Sequence, residues 1–244
     1  MASWSARIHH NIAVLTFTRA PDNQLDLPSL EELATHLESL ADRRAEVSVI
    51  MLASGLDGIF IKHADPSILR RAAGGWAPPS EEGVWQRCLD LLASVPQPTV
   101  AAVDGRAWGS GLETALACTL RIASDRSHFS QPEIRYGVIP NGGGTQRLPR
   151  LIGSGRAAEM ILTGRVVQAE EAHRLGIVNA VLPTAGFKQQ AIDWCAALVR
   201  HPVAALVAAK QAVHDGAGMP LADGLALECA LFKEVVGSSA FAPR

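Results

Sequence analysis

The sequence predicts an α/β fold, because short apolar runs suited to buried strands enclose a helical pattern. Ile12 to Phe17 and Val47 to Leu52 are mostly apolar runs of strand length. Between them, apolar residues recur at the spacing of one helix face: Leu30, Leu33, Ala34, Leu37, Leu40 and Ala41. A helix between two buried strands is typical of a right-handed βαβ crossover.

The start of this helix is marked by two residue types that favour a helix N-terminus. Asp26 offers a side-chain oxygen to unpaired N–H groups, and Pro28 suits the first turn. The pattern therefore predicts a helix from Leu27 and leaves open which residue caps it.

The composition is that of a globular protein large enough to bury a sizeable core. The chain has 244 residues, of which 48% are hydrophobic and 19% are charged, and its formal net charge is −2. This charge gives no general attraction to nucleic acid or to an anionic membrane, so we expect neither as a partner.

The cysteines and the N-terminal residues predict a cytoplasmic protein. Cys88, Cys118, Cys195 and Cys229 are widely spaced without a CxxC pair, which favours reduced core thiols over disulfides or a zinc site. The chain begins without the basic and apolar segments of a secretory signal. No apolar run is long enough to cross a bilayer. We therefore expect no membrane contact and no bound metal.

A glycine-rich junction predicts a place where backbone N–H groups face a ligand. The buried strand Thr99 to Val103 is followed by an Asp104-Gly105 turn, and Gly109-Ser110-Gly111 then leads into a helical segment, Leu112 to Ala117. Glycines let a ligand approach the backbone, and the first N–H groups of a helix are unpaired. Such groups stabilise negative charge that develops on a carbonyl oxygen during a reaction.

Two glutamates lie beside glycine-rich helix starts. Glu113 is in the first turn after Gly111, and Glu133 precedes the turn from Pro140 to Thr145, which opens another helix. Taken singly, Glu113 is more simply explained as a surface residue favourable to a helix dipole, and Glu133 as a solvated loop residue. Together they predict a general acid and a general base, if the fold brings both to one cavity.

Three segments resemble the crotonase (enoyl-CoA hydratase/isomerase) superfamily: AAVDGRAWGSGLETALACTLRIAS, FSQPEIRYGVIPNGGGTQRLPRLIG and ILTGRVVQAEEAHRLGIVNAV. The resemblance runs from about Ile12 to about Phe232. It implies a spiral of ββα turns over residues 1–183 that holds the active site. It also implies a C-terminal helical trimerisation region over residues 184–244, shortened here, and a homotrimer or dimer of trimers.

The same resemblance assigns roles to individual residues. Glu113 and Glu133 occupy the positions of the two catalytic glutamates, and the backbone N–H groups of Lys62 and Ser110 would form the oxyanion hole. Substrate contacts are expected from a further set: His63, Ala64, Asp65, Trp108, Gly109 and Gly111. His63 and Ser110 stand where the family usually has glycine. If position 63 needs a positive φ, histidine there would be strained.

Further predictions concern the aromatic residues of the acyl pocket and the helices near the end of the chain. The segment from Leu69 to Ser80 reads as a loop and Glu82 to Val95 as a helix. By the resemblance this region lines the acyl pocket, so Trp76, Trp85 and Trp108 are expected either to set chain length or to pack in the core. Three amphipathic helices are predicted near the end of the chain: Phe187 to Arg200, Pro202 to His214 and Leu221 to Val235.

The activity that the resemblance implies is hydration of a trans-2-enoyl-CoA, with coenzyme A present only as part of the substrate and no separate cofactor. Two other functions stay open. A double-bond isomerase would use Glu133 alone, and a non-catalytic or RNA-binding homologue would use neither glutamate. The presence of both glutamates argues against each of these alternatives.

Overall fold

The structure is a computed structural model and describes residues 2–68 and 83–238. Its strands are β1 (Trp4–His9), β2 (Ile12–Phe17), β3 (Val49–Ser54), β4 (Ile59–Ile61), β5 (Thr99–Val103), β6 (Arg106–Trp108), β7 (Leu120–Ser124), β8 (His128–Ser130), β9 (Val167–Gln168) and β10 (Ala180–Leu182). Its helices are α1 (Leu27–Ala41), α2 (Val84–Ser94), α3 (Ser110–Ala117), α4 (Gly144–Ile152), α5 (Ser154–Thr163), α6 (Ala169–Leu175), α7 (Phe187–Val199), α8 (Val203–Gly216) and α9 (Leu221–Gly237). The predicted α/β class is confirmed.

A six-stranded sheet forms the centre of the fold, in the order β1-β2-β3-β5-β7-β10. Only β1 is antiparallel to its neighbour, and the other pairs are parallel. Strands β2, β3 and β5 are almost wholly buried, because helices cover both faces of the sheet. One face packs against α1, α2 and α3, and the other packs against α7.

Helix α1 begins at Leu27 as predicted, and the structure identifies its cap. The Asp26 side chain accepts a hydrogen bond from Ser29 N at 2.9 Å, while Ser29 Oγ accepts one from Asp26 N at 3.0 Å. This reciprocal pair satisfies donors that the helix leaves unpaired at its start. Asp26 is therefore the capping residue.

A smaller sheet of four short strands, β4-β6-β8-β9, positions the loops that matter for function. Strands β4, β6 and β8 are parallel, so their carboxyl ends meet at one edge of this sheet. The chain leaves that edge at Lys62, at Gly109 and at Gln131. Ligands commonly bind outside the carboxyl ends of parallel strands, which makes this edge the place to look for a site.

The C-terminal helices are fixed to the body of the protein by a buried lysine. Lys210 on α8 is 9% exposed, and its Nζ donates to the carbonyl oxygens of Val95 and of Gln97, the latter at 3.1 Å. Burial lowers the pKa of Lys210 to about 8. This anchor holds α8 against the segment between α2 and β5.

Two predictions fall on parts of the chain outside this description. The loop from Leu69 to Ser80, with Trp76, lies there, as do residues 239–244, on which the expected shortening of the C-terminal region depends. In the described part, no single helix combines the length and hydropathy needed to cross a membrane. Helices α7 and α8 have that length and hydropathy only when the two are taken together, and the pair is bent by 97°.

Candidate active site

The three loops that leave the smaller sheet enclose one cavity of about 460 Å³. Eight of the ten predicted site residues line it: Lys62, His63, Ala64, Trp108, Gly109, Ser110, Glu113 and Glu133. Apolar and aromatic side chains complete the wall, among them Leu27, Trp85, Tyr136, Val138 and Ile139. An apolar cavity with a few converging polar groups is the usual form of a small-molecule site.

Asp65 and Gly111 are the two predicted contact residues that lie outside this lining. The Asp65 carboxylate accepts from Ser67 N at 2.9 Å and pairs with Arg19 at 3.3 Å, so it holds the loop together. Gly111 lies against the Ile61 carbonyl, where a β-carbon would clash. Both residues shape the loops around the cavity, and their contact with substrate stays a prediction.

Glu113 is fixed at the floor of the cavity by backbone N–H groups. Helix α3 is buried along its whole length, and Glu113 in its first turn is only 3% exposed. Its Oε1 accepts from Gly142 N at 2.7 Å and from Gly144 N at 2.9 Å. Burial raises the pKa of Glu113, while these two N–H groups and the charge of Arg147 act in the opposite direction.

Glu133 lies at the rim, in a 3₁₀ turn over Glu133–Tyr136 that follows β8. A β-carbon on Gly109 would lie 2.7 Å from Glu133 Oε1, so the carboxylate rests directly on the glycine-rich junction. Burial raises the pKa of Glu133 to about 7, and the nearby charge of Glu113 adds to the shift. This carboxyl is therefore partly protonated at neutral pH.

The buried side chain of Gln131 supports Glu133. With its amide nitrogen turned towards the carboxylate, Gln131 donates to Glu133 Oε1 at 3.0 Å and to Oε2 at 3.1 Å. The fully buried Gln131 is thus the second residue of the Gln131-Pro132-Glu133 segment to take part in the site. Sequence reasoning quoted this segment and assigned a role only to the glutamate.

The predicted oxyanion hole needs one correction. The Lys62 N–H donates to the Asn23 carbonyl at 3.1 Å, so the prediction that it faces the substrate is wrong. Two residues further on, the Ala64 N–H has no acceptor within residues 2–68 and 83–238, and the same holds for the Ser110 N–H. Ala64 and Ser110 both line the cavity and supply two unpaired donors.

Asn23 determines this arrangement, and sequence reasoning missed it. It is fully buried, with a positive φ of 48°, and its side-chain nitrogen donates to Phe60 O at 3.1 Å and to Ser54 Oγ at 2.8 Å. Its carbonyl meanwhile engages the Lys62 N–H. The only signal for it in the sequence is its place in a turn, where asparagine tolerates a positive φ.

His63 fits the loop without the strain considered above. Positive φ angles among the described non-glycine residues occur at His10, Asn11 and Asn23, and His63 is not one of them. The His63 Nδ1 lies 2.6 Å from the carbonyl oxygen of Ala64. The histidine therefore occupies the glycine position at no cost in backbone strain.

Charged and aromatic groups line the side of the cavity near Lys62. The Lys62 ammonium pairs with Asp22 at 2.5 Å. Trp108 donates from Nε1 to His128 Nδ1 at 2.8 Å, and the Arg106 guanidinium lies over its ring, 4.4 Å from the centroid. No carboxylate pairs with Arg106 within the described part of the chain. The charge of Lys62 is therefore balanced by Asp22, and Arg106 is a cation of the cavity wall with no paired carboxylate among the described residues.

The arrangement combines two carboxyl groups with backbone donors around one apolar space. Such a set can polarise a carbonyl group, hold the enolate that forms from it, and move protons on either side of the adjacent carbon atoms. No cluster of three or more His, Cys, Asp or Glu side chains suited to a metal occurs among the residues described.

A family model described as enoyl-CoA hydratase/isomerase matches residues 7–241. Methylglutaconyl-CoA hydratase of Rattus norvegicus mitochondria is 32% identical over 236 residues, which cover 94% of this chain and 74% of that protein. The Bacillus subtilis protein YngF, provisionally named for the same family, is 44% identical over 151 residues, or 62% of this chain and 58% of its own length.

Other relatives are much longer than this chain. The peroxisomal fatty acid β-oxidation multifunctional protein MFP2 of Arabidopsis thaliana is 39% identical over 190 residues, which are 77% of this chain and 26% of MFP2. The match therefore spans less than two thirds of the length of both YngF and MFP2.

Solved structures share the fold over nearly the whole chain. Enoyl-CoA hydratase from Geobacillus kaustophilus superposes with a TM-score of 0.91 at 29% identity, covering 98% of this chain and 90% of that one. Enoyl-CoA hydratase from Bacillus anthracis gives a TM-score of 0.89 at 31% identity, with 97% and 92% covered. The fold predicted from the sequence, an α/β body followed by helices, is that of these proteins.

Proposed function

The chain belongs to the enoyl-CoA hydratase/isomerase family, the crotonase superfamily, and on this premise we propose that it hydrates the 2,3 double bond of a trans-2-enoyl-CoA. The observation that carries the proposal is the placement of Glu113 and Glu133 on one cavity with two unpaired backbone N–H groups. Hydratases need a base and an acid on one substrate, and an isomerase needs only one such group.

In this mechanism the Ala64 and Ser110 N–H groups bind the thioester carbonyl oxygen. Loss of one such donor typically costs ~2.7–4 kcal/mol of transition-state stabilisation. A water molecule lies between the two carboxyl groups. Glu113 removes a proton from it as the hydroxyl adds to the β-carbon, and the electron pair of the double bond moves to the thioester oxygen. Glu133 then delivers its proton to the α-carbon as the enolate collapses.

The environments of the two glutamates support this division of work. Burial raises the pKa of Glu113, but its carboxylate accepts two backbone N–H bonds, which favour the ionised form that a base needs. Glu133 has a pKa raised to about 7 by burial, so it carries a proton for part of the time at neutral pH and suits an acid. Coenzyme A takes part only as the carrier of the acyl group, and the reaction as proposed uses no further cofactor.

The test is the loss of absorbance of the conjugated enoyl thioester on addition of purified protein. Crotonyl-CoA, a longer enoyl-CoA and 3-methylglutaconyl-CoA form the panel, the last because of the 32% identical rat hydratase. Turnover of any of these that is lost in Glu113→Gln supports the proposal. Conversion of a 3-enoyl-CoA to its 2-enoyl isomer without hydration would replace it with the isomerase. RNA binding without acyl-CoA binding would replace both.

We further propose that the chain self-associates through its C-terminal helices, as a homotrimer or a dimer of trimers. Large apolar side chains are exposed on α8 and α9: Val213, Leu221, Leu225, Phe232 and Val236. Exposed apolar faces of this kind mark protein contacts. Light scattering coupled to size-exclusion chromatography should give three or six times the monomer mass of 25.9 kDa. A monomer at micromolar concentration would contradict this.

The predicted cytoplasmic location is part of the same proposal. All four cysteines are free, and Cys88, Cys118 and Cys195 are buried. Burial raises the pKa of each of these three thiols to about 12, which makes them unreactive. Cell fractionation with an antibody against the chain would test the location directly.

A further inference from the structure

Trp85 carries a buried N–H group that has no hydrogen-bond partner in the described part of the protein. It is the second residue of α2, two positions after the N-cap Gly83, and it lines the cavity that contains both glutamates. Buried indole N–H groups usually find an acceptor, because burying a donor unpaired is unfavourable. Among the described residues one other buried indole N–H has no partner, that of Trp4, which lies on β1 and does not line this cavity.

Glu113 has an acceptor oxygen close to this indole N–H. A β-carbon added to Gly142 would lie less than 3.0 Å from both Trp85 Nε1 and Glu113 Oε2, so the two atoms meet the same face of this glycine. They are at most about 5 Å apart, a gap that a small side-chain shift or one bridging water closes. Glu113 Oε1 already accepts from Gly142 N and Gly144 N, whereas Oε2 has no donor among the described groups.

We propose that Trp85 is a positioning residue for Glu113, and that its indole N–H donates to Oε2 directly or through one water. This inference rests on the proposed function, since it concerns the base of the hydration. The indole N–H gives Glu113 a third hydrogen-bond donor. It also restrains Oε2, the carboxylate oxygen to which neither backbone N–H group donates. Gly142 is required for the contact, because any side chain there would separate the two groups.

The chemistry of the indole decides which form of Glu113 it supports. An indole N–H can only donate, so it binds the carboxylate and opposes a proton on Oε2. The charged groups that face Glu113 are Glu133 across the cavity, which disfavours ionisation, and Arg147 on α4, which favours it. Arg147 is shared with Asp90 at 3.2 Å and with the Gly142 carbonyl at 3.0 Å. Few groups therefore favour the ionised form of Glu113, and a donor on Oε2 adds one more.

The first experiment measures the pH dependence of kcat/KM for hydration in Trp85→Phe, with Trp4→Phe as the matched control. Trp85→Phe removes the N–H and should move the acid limb to higher pH by about one unit, because Glu113 then ionises less readily. Below that limb kcat/KM should fall about tenfold, with KM changed less than kcat. Trp4→Phe removes an equally buried, unpaired indole N–H away from the site and should leave the limb in place.

An unmoved acid limb in a folded Trp85→Phe protein would overturn the inference, even if its activity fell at every pH.

If wild-type protein hydrates no enoyl-CoA, it is the proposed function that fails, and a second measurement still tests Trp85. In ¹⁵N-labelled wild-type protein, the Trp85 indole resonance, assigned by its NOE to the Gly142 α-protons, should shift as pH is varied. That titration should vanish in Glu113→Gln and persist in the Trp4→Phe control. A resonance that does not titrate, or that titrates equally in Glu113→Gln, would refute the contact.

Discussion

Glu113 and Glu133 face the same cavity from supports of opposite kinds. Glu113 belongs to a helix with every residue buried, and backbone N–H groups from a distant loop hold it. Glu133 belongs to a 3₁₀ turn with no fully buried residue, and the side chain of Gln131 holds it. Backbone donors fix a group in place, and a side-chain donor can be exchanged by a single substitution.

This difference separates what fixes the position of a glutamate from what sets its pKa. The position of Glu113 is a property of the fold, because moving it would mean moving the loop around Gly142 and Gly144. The protonation of Glu133 is a property of its immediate surroundings, since burial and one neighbouring charge raise its pKa. A site built this way can keep the position of Glu113 constant while the protonation of Glu133 is adjusted.

The largest effect is expected when either carboxyl group is replaced. Glu113→Gln and Glu133→Gln should each lower kcat for hydration by about 10²–10⁴, the usual contribution of general acid or base catalysis. Absorbance of the enoyl thioester measures the rate, and circular dichroism checks the fold. Full activity in either variant would break the comparison, because only one glutamate would then work.

A smaller loss is expected when one of the two proposed oxyanion donors is removed. Ser110→Pro removes the backbone N–H at the first position of α3, where proline is tolerated in helices. We expect kcat to fall by about 10²–10³. Ser110→Gly keeps the N–H and is the matched control. Equal rates for the proline and glycine variants would remove Ser110 from the oxyanion hole.

The next largest loss of kcat is expected when the loop that supports Glu113 is disturbed. An alanine at Gly142 would push on Glu113 Oε2 and on Trp85 at the same time. Displacing a reacting group by about 1 Å can cost up to about 10² in rate, so kcat for Gly142→Ala should fall by about ten- to a hundredfold. Gly155→Ala places its β-carbon in open space and is the control. A normal rate in Gly142→Ala would show that Glu113 is not held by this loop.

The smallest effect concerns the tuning of Glu133. As the acid, Glu133 must carry a proton, so kcat/KM should decline above about pH 7. Gln131→Met removes a donor that favours the ionised form, which raises the pKa of Glu133 and moves this limb to higher pH by about one unit. The change in rate below pH 7 should stay within about tenfold. A limb that moves to lower pH would contradict the assignment of Glu133 as the acid.

Elements built on long apolar patterns were predictable from the sequence. Strands β2 and β5 have the predicted bounds and α1 begins at the predicted residue, because buried runs and a capped helix leave clear signals. Strand β3 is displaced by two residues from the predicted Val47 to Leu52. The smaller sheet was missed entirely, since strands of two or three residues are too short to show a period of two.

The site was predictable in its residue types and less so in its contacts. The glycine-rich junction and both glutamates were found, because unusual residues at a helix start are visible in one stretch of sequence. The error at Lys62 arose because its N–H donates to the carbonyl oxygen of Asn23, a residue from another loop. The roles of Gln131 and Trp85 likewise depend on neighbours that only the fold brings together.

The oxyanion donors are groups that every non-proline residue possesses. A histidine at position 63 and a serine at position 110 therefore leave the two N–H groups of the pocket in place. Mutational drift, or a directed-evolution library, can thus explore side chains at positions 63, 64 and 110 to reshape which acyl groups fit. In the proposed mechanism the groups that polarise the carbonyl are backbone N–H groups, and proline at position 64 or 110 would remove one of them.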